Sequence, residues 1–190
     1  MFARTERLLL RPGWEEDAPA LAHAIGEEAI VRNLGRVPWP YGIEHAQAFL
    51  AKERKPQDAS FLVFRRTNGA PQLIGSVGFG RDPDGVAELG YWIARRHWGL
   101  GYATEAARAV VELARDAFRL RRLRAGHFLD NPASGRVLAK LGFRPTGIRQ
   151  RYSAGRGHAA PCKLYELAVG DCRADVDHQA CETAIRMIAA

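Results

Sequence analysis

The spacing of apolar positions changes along the chain, and each change predicts an element. "ERLLLRP" reads as a short strand that stops at Pro12, because proline fixes φ and carries no N–H. From Trp14 to Ile25, the residues Ala18, Leu21, Ala22 and Ile25 recur at helical spacing, and Gly26 ends the run. "EEAIVRNL" gives a second short helix. "GRVPWPYG" is a loop, with Trp39 and Tyr41 as unusual cargo. Ile43 to Lys52 forms another helix, with Ile43, Ala46, Phe49 and Leu50 on one face. The period then drops to two. "SFLVFRR", "LIGSVGFG" and "VAELGYWIA" read as three strands joined by the turns "TNGAPQ" and "RDPDG", an antiparallel meander. In the third strand Leu89, Tyr91 and Ile93 share one face, while Glu88, Gly90 and Trp92 share the other.

Helical spacing returns from about Tyr102 to Phe118. Val110, Ala114 and Phe118, flanked by Ala103, Ala107, Val111 and Ala117, form the apolar side. Glu105, Arg108, Glu112 and Arg115 form the polar side, at spacings that allow pairing within the helix. "RLRAGHF" is a strand. "NPASGRVLAKLGF" is a helix with Asn131 as cap, Pro132 at its first position and Gly142 at its end. "RPTGIRQRYS", the turn "AGRGHAA" and "CKLYELAVG" read as a closing hairpin. The order predicts an α+β fold, a mixed sheet covered by helices, with a right-handed parallel crossover from Val86 to Phe128. Residues 1–170 are expected to form one domain. Residues 171–190 read as a weakly helical tail through Val176, Ala180, Ala184 and Ile188.

Composition narrows the classes. No apolar run among the 190 residues is long enough to span a bilayer, and "LLL" is too short for a signal-peptide core, so a cytoplasmic protein with no membrane partner is expected. Cys162, Cys172 and Cys181 show no C-x-x-C pairing and no histidine at zinc-ligand spacing. They read as free thiols in a reducing compartment, with no metal; no base is visibly paired with Cys162. The formal net charge of +7 suits an anionic ligand or partner. Arg119, Arg121, Arg122 and Arg124 cluster in "RLRRLRAG", which reads as a solvated corner in preference to a nucleic-acid patch.

Candidate chemistry centres on "RRHWGLGYATEAARAVVEL", Arg95 to Leu113. A glycine-rich strand-to-helix loop gathers free N–H groups and the positive helix end at one spot, which suits a phosphate. The phosphate-binding G-x-x-x-x-G-K-[ST] pattern is absent. G-x-G-x-x-G fails too, because Thr104 stands at the third glycine position.

"YWIARRHWGLGYATEA" followed by "NPASGRVLAKLGFRPTG" resembles the GNAT N-acetyltransferase superfamily, and within it the branch of RimJ/RimL-type ribosomal-protein acetyltransferases. Arg96, Gly99 and Gly101 match the family motif. The early "RLLLRP", the "PWPY" loop and the Asn-x-x-Ser helix ending in Gly-Phe agree in order, and the resemblance runs from Glu6 to Val169. It implies the GNAT acyl-CoA acyltransferase fold, a mostly antiparallel sheet with a central pair of strands splayed by a bulge in the third meander strand. It implies acetyl-CoA as co-substrate, held by Ile93, Arg96, Trp98, Gly99, Leu100, Gly101, Tyr102, Ala103, Thr104, Asn131 and Ser134. The implied reaction is direct transfer, through a ternary complex, to a primary amine such as a protein N-terminus or a small amine. An alternative is a catalytically weak protein of this fold that binds RNA or a protein partner. A monomer or a homodimer fits equally.

The resemblance also suggests roles. Glu88 is the first candidate base and an acceptor contact, with a strand-edge carboxylate paired to an arginine as the competing reading; Glu166 is the second candidate. Many relatives carry a tyrosine acid where Leu138 stands, so Ser134 is the candidate donor to the CoA sulfur, or its positioner. Trp39 and Tyr41 flank the acceptor, with Trp39 leaning towards the core and Tyr41 towards the site. His97 reads as a surface residue and His127 as a satisfied, partly buried one.

Overall fold

The computed structural model describes residues 1–82 and 84–170. The tail read from Asp171, with Cys172 and Cys181, lies outside the described residues. Among the described residues, eight strands form one sheet: β1 (Ala3–Arg4), β2 (Leu8–Arg11), β3 (Ala59–Arg65), β4 (Gln72–Arg81), β5 (Ala87–Ile93), β6 (Arg122–Phe128), β7 (Arg144–Ser153) and β8 (His158–Ala168). Their order is β1-β2-β3-β4-β5-β6-β8-β7, and only the β5–β6 pair is parallel. The helices are α1 (Ala18–Ile25), α2 (Glu28–Val31), α3 (Ile43–Ala51), α4 (Tyr102–Asp116) and α5 (Pro132–Lys140).

Alternation along β3 sorts the helices onto two faces. Phe61 and Val63 point into the main core, where Ala106, Ala107, Val110 and Ala114 of α4 pack with Leu8, Leu10, Val77, Leu89, Ile93 and Leu138. Leu62 and Phe64 point the other way, against Leu21 of α1 and Ala46 of α3, with Trp92 of β5 on that side too. On the polar side of α4, Arg115 pairs with its neighbour Asp116. Glu105 reaches the N-terminal segment, taking hydrogen bonds from the Thr5 hydroxyl, the Arg7 backbone N–H and the Arg7 guanidinium.

The splay is present, but its origin differs from expectation. β5 pairs in unbroken register with β4, from Gly75↔Ile93 to Arg81↔Ala87. The bulge lies on the far side of β4: Val63 faces Gly75 while Phe64 faces Leu73, so Ile74 is the extra residue. β5 and β6 meet at a single register position, Glu88↔Arg124. Beyond it the parallel strands part, and the sheet opens between the C-terminal half of β5 and the end of β6. An opening at the carboxyl ends of parallel strands exposes backbone groups that a ligand can satisfy.

Candidate functional site

The glycine loop connects β5 to α4. A 3-10 turn, Arg95–His97, follows Ala94, whose N–H is anchored on the Ile74 carbonyl at 2.7 Å. Gly99 and Gly101 both have left-handed φ, +76° and +82°, which a side chain would strain. Among the described residues, a Cβ at Gly99 would meet nothing within 4 Å. Gly101 is the N-cap of α4 and supplies no side-chain cap. The first bond of the helix runs from Glu105 N–H to Gly101 O at 3.1 Å. The N–H groups of Tyr102, Ala103 and Thr104 therefore precede the ladder at the positive end of a fifteen-residue helix.

Arg7 holds this loop from behind. Its guanidinium donates to the Leu100 carbonyl at 3.0 Å and to Glu105 at 2.7 Å, and lies over the Tyr102 ring at 4.6 Å. The carbonyl is thereby turned to a cation. Trp98 is fastened as well, its indole N–H donating to the Ile93 carbonyl at 2.6 Å. A ligand lying along β5 finds that carbonyl already engaged. His97 is not a surface residue: it is buried, edge-on to the Tyr102 ring, and its Nε2 has no hydrogen-bond partner among the described residues. Burial pushes its pKa down, and the charges of Arg96 and Arg65 add to the effect.

A cleft of about 1760 Å³ runs through the splay, from the helix entrance to the face under α1 and α3. Ile93, Trp98, Gly99, Gly101, Tyr102, Ala103, Thr104, Asn131 and Ser134 of the expected donor set line it. Arg96 and Leu100 are exposed and stand outside its lining. Thr104 faces the cleft without capping the helix. Asn131 caps α5, its Oδ1 accepting from Ser134 N–H at 3.3 Å. The Ser134 hydroxyl is 2.8 Å from the Tyr91 hydroxyl. Leu138 is fully buried in the core, one turn further along α5.

On the α1/α3 side, the cleft floor is made of small residues. Ser60, Gly78 and Gly90 sit side by side across β3, β4 and β5, by the register Ser60↔Gly78↔Gly90. Glu88 and Trp92 flank Gly90 on that face. The Glu88 carboxylate is gripped by Arg151 of β7 through both guanidinium nitrogens, one bond at 2.8 Å. This holds Arg151 firmly protonated, because the carboxylate hydrogen-bonds to it and attracts its charge. Cys162 is buried next to this pair. Burial pushes its thiol up, against a smaller downward pull from Arg151. The tip of the β7–β8 hairpin docks on the segment after α2: Ser153 Oγ donates to Leu34 O at 2.8 Å, and Ala154 N–H to Gly35 O at 2.9 Å. Tyr41 lines the cleft, and burial raises its pKa. Trp39 does not plug the core; it is 41% exposed and outside the cleft lining. Glu166 lies near Arg122 and Arg124, at 4.0 and 3.8 Å, also outside that lining. His127 is buried and satisfied, by Phe128 O at 2.8 Å and the Tyr165 hydroxyl at 3.3 Å.

Sequence reasoning passed over Arg7, Tyr91 and Arg151. Tyr91 carried the one available signal: a hydroxyl on the core-facing side of a strand must find a partner.

Comparison with known proteins agrees with this architecture. Residues 7–144 match the family model described as an acetyltransferase (GNAT) domain. An uncharacterised N-acetyltransferase of Bacillus subtilis, YoaA, is 31% identical over 169 residues, spanning 86% of this chain and 94% of that protein. The ribosomal-protein-serine acetyltransferase of Escherichia coli is 33% identical over 85 residues, 44% of this chain and 45% of that one. The solved structure of RimL, a ribosomal L7/L12 alpha-N-protein acetyltransferase in complex with coenzyme A, superposes with a TM-score of 0.72 at 20% identity, covering 88% of this chain and 98% of that one. The chain belongs to the GNAT acetyltransferase family.

Proposed function

We propose that the protein transfers an acetyl group from acetyl-CoA to a primary amine, directly, within a ternary complex. One observation carries the reading. The free N–H groups at the α4 entrance, the parted β5–β6 pair and the small-residue floor of Ser60, Gly78 and Gly90 share one cleft. An anionic donor enters at the helix end, its thioester reaches the splay, and an amine approaches over the floor from the opposite side. Binding both reactants in one cleft supplies the proximity that direct transfer needs. The coenzyme A complex of RimL, a protein of the same fold, supports the donor assignment.

The residues fit the donor's chemistry. Gly99 and Gly101 let the loop backbone approach a pyrophosphate, and the α4 dipole favours its charge. On the acceptor side, each Glu88 oxygen keeps a lone pair beyond its bond to Arg151, so the fixed carboxylate can accept a proton from an incoming amine, directly or through water. An N-terminal amine, with a reference pKa of about 8, is a better acceptor at neutral pH than a lysine at about 10.4. The acceptor we infer is a primary amine, either a protein N-terminus or a small amine, and this comparison favours the N-terminus over a lysine side chain.

Thermal shift with acetyl-CoA tests the donor, since a ligand that prefers the native state raises the melting point. A rise with acetyl-CoA that is lost in Gly101→Arg is the expected result. No rise at saturating acetyl-CoA overturns the reading. A screen of amino-terminal peptides, polyamines and amino sugars then identifies the acceptor.

A further inference from the structure

The proposed reaction releases a thiolate at the splay, and the family's tyrosine position on α5 is filled by Leu138, which is fully buried. Ser134 is the hydroxyl left at that end of the cleft. A lone serine hydroxyl is a weak donor and rotates freely, so its value depends on what fixes it. Tyr91 is the group that reaches it. The Tyr91 hydroxyl lies 2.8 Å from Ser134 Oγ and 3.2 Å from the Ser134 carbonyl, across 43 positions of sequence. Asn131 fixes the same residue from the other side through its backbone N–H.

We propose that Tyr91 is a positioning residue for acetyl transfer: its hydroxyl donates to Ser134 Oγ and so directs the serine proton into the cleft, at the departing sulfur. The Tyr91 proton has two acceptors in reach, the Ser134 carbonyl at 3.2 Å and Ser134 Oγ at 2.8 Å, and the contact between the hydroxyls admits either direction. The phenol is the more acidic of the two hydroxyls and Oγ the nearer acceptor, so the shared proton is assigned to Tyr91. Ser134 then keeps its own proton free to donate. The other arrangement, Tyr91 donating to the Ser134 carbonyl, spends the serine proton on the phenol oxygen and leaves the sulfur without a donor. Burial pushes the Tyr91 hydroxyl up to about 12, opposed by the Ser134 hydrogen bond and reinforced by Tyr165, so it stays a neutral donor throughout the working pH range.

The balance of the step is simple. The amine nitrogen bonds to the acetyl carbon and the carbon–sulfur bond breaks, with its electron pair going to sulfur. The proton lost by nitrogen passes to the acceptor-side base and thence to solvent, and the thiolate takes one back. Tyr91 and Ser134 make no net transfer. They offer the sulfur a chain of two aligned hydrogen bonds, which strengthen each other as negative charge grows.

The inference rests on the acetyltransferase reading, and the test separates the two. Wild type, Tyr91→Phe, Ser134→Ala, Ser134→Thr and the Tyr91→Phe/Ser134→Ala double variant are compared by steady-state kinetics and by acetyl-CoA thermal shift. Tyr91→Phe is expected to lower kcat about ten-fold, the scale of one hydrogen bond to a charged group, with KM for acetyl-CoA unchanged. Ser134→Ala should lose at least as much, and the double variant no more than Ser134→Ala alone, because the two hydroxyls act in series. Ser134→Thr keeps a hydroxyl and should retain activity. Full kcat in Tyr91→Phe, or losses that multiply in the double variant, overturns the inference while leaving the reaction intact. A wild type that neither binds acetyl-CoA nor acetylates any amine overturns both.

Discussion

Arg151 and Glu88 face each other as two forks, guanidinium against carboxylate, with Arg151 40% and Glu88 16% exposed at the side chain. Bidentate geometry of this kind fixes both groups in orientation as well as in charge. It makes Glu88 a held carboxylate on the α1/α3 side of the cleft, and it ties β7, at the sheet edge, to β5 at the splay. Two roles are compatible with that geometry, a proton acceptor and an anchor, and kinetics distinguish them. Glu88→Gln is expected to lower kcat about a hundred-fold, in the range of a lost general base, with acetyl-CoA affinity unchanged. An unchanged kcat and pH–rate profile would leave Glu88 as an anchor for Arg151 only. Arg151→Met, which frees the carboxylate, should also lower the melting temperature, by an amount corresponding to about 1–2 kcal/mol because the pair is partly solvated.

Arg7 links the beginning of the chain to the glycine loop, the proposed donor site. It pins the Leu100 carbonyl and Glu105 at once, so the loop's carbonyl is engaged by a cation on the side of the N-terminal segment. Arg7→Ala should therefore weaken acetyl-CoA binding roughly five-fold, equivalent to about 1 kcal/mol, while kcat at saturation stays near wild type. Isothermal titration reads the affinity. An unaltered dissociation constant would show that the loop keeps its shape without the clamp.

The contrast between Arg7 and α4 explains what the chain discloses by itself. The start of α4 at Tyr102, the whole of β6 and the Asn131 cap follow from local signals: period, glycine and capping residue within a few positions of one another. Where local signal is thin, the reading slips. α4 ends at Asp116 and not Phe118, because the Phe118 N–H turns back to Leu113 O and the Leu120 N–H to Ala114 O. β8 starts at His158, inside the stretch read as a turn, because a tight tip of Ala154 to Gly157 suffices when Arg156 and Gly157 N–H both bind Ser153 O. The site was legible in its glycine loop and its Asn-x-x-Ser helix. Its cross-chain partners were not: Arg7 and Glu105 are 98 positions apart, and Arg151 and Glu88 are 63. Burial of His97 and exposure of Trp39 depend likewise on what other segments cover, which no spacing encodes.

Gly90 separates folding from acceptor access. A Cβ there would meet no atom of the described residues within 4 Å, so the described fold has room for a side chain, while the cleft floor does not remain flat. Gly90→Val places a β-branched residue, favourable in a strand, between Glu88 and Trp92. The variant is expected to melt at or above the wild-type temperature and to keep its acetyl-CoA shift. Its turnover with the cognate amine should fall at least ten-fold, mostly through KM for the acceptor, as a steric block to binding requires. Undiminished turnover would move the acceptor path off the Ser60–Gly78–Gly90 floor.

His97 gives the glycine loop a pH-dependent stability of definite sign. Its pKa is lowered in the folded state, first by burial and then by Arg96 and Arg65, from the ordinary value of 6.5. Below that value the unfolded chain binds a proton that the folded chain resists, so stability is fully present above pH 6.5 and declines as pH falls through the folded pKa. The carboxylates with lowered pKa, among them Glu105, Asp17, Asp82 and Asp130, lose their contributions in a separate, more acidic window, below their ordinary values of 4.5 and 3.8. Melting temperatures measured from pH 7.5 down to 5 isolate the histidine. Wild type should lose stability across that interval, and His97→Phe, which fills the same space against Tyr102 without a titratable ring, should lose less of it. Acetyl-CoA-dependent melting shifts over the same interval show whether the loop, and not only the fold as a whole, responds. Parallel pH curves for the two proteins would remove His97 as the source.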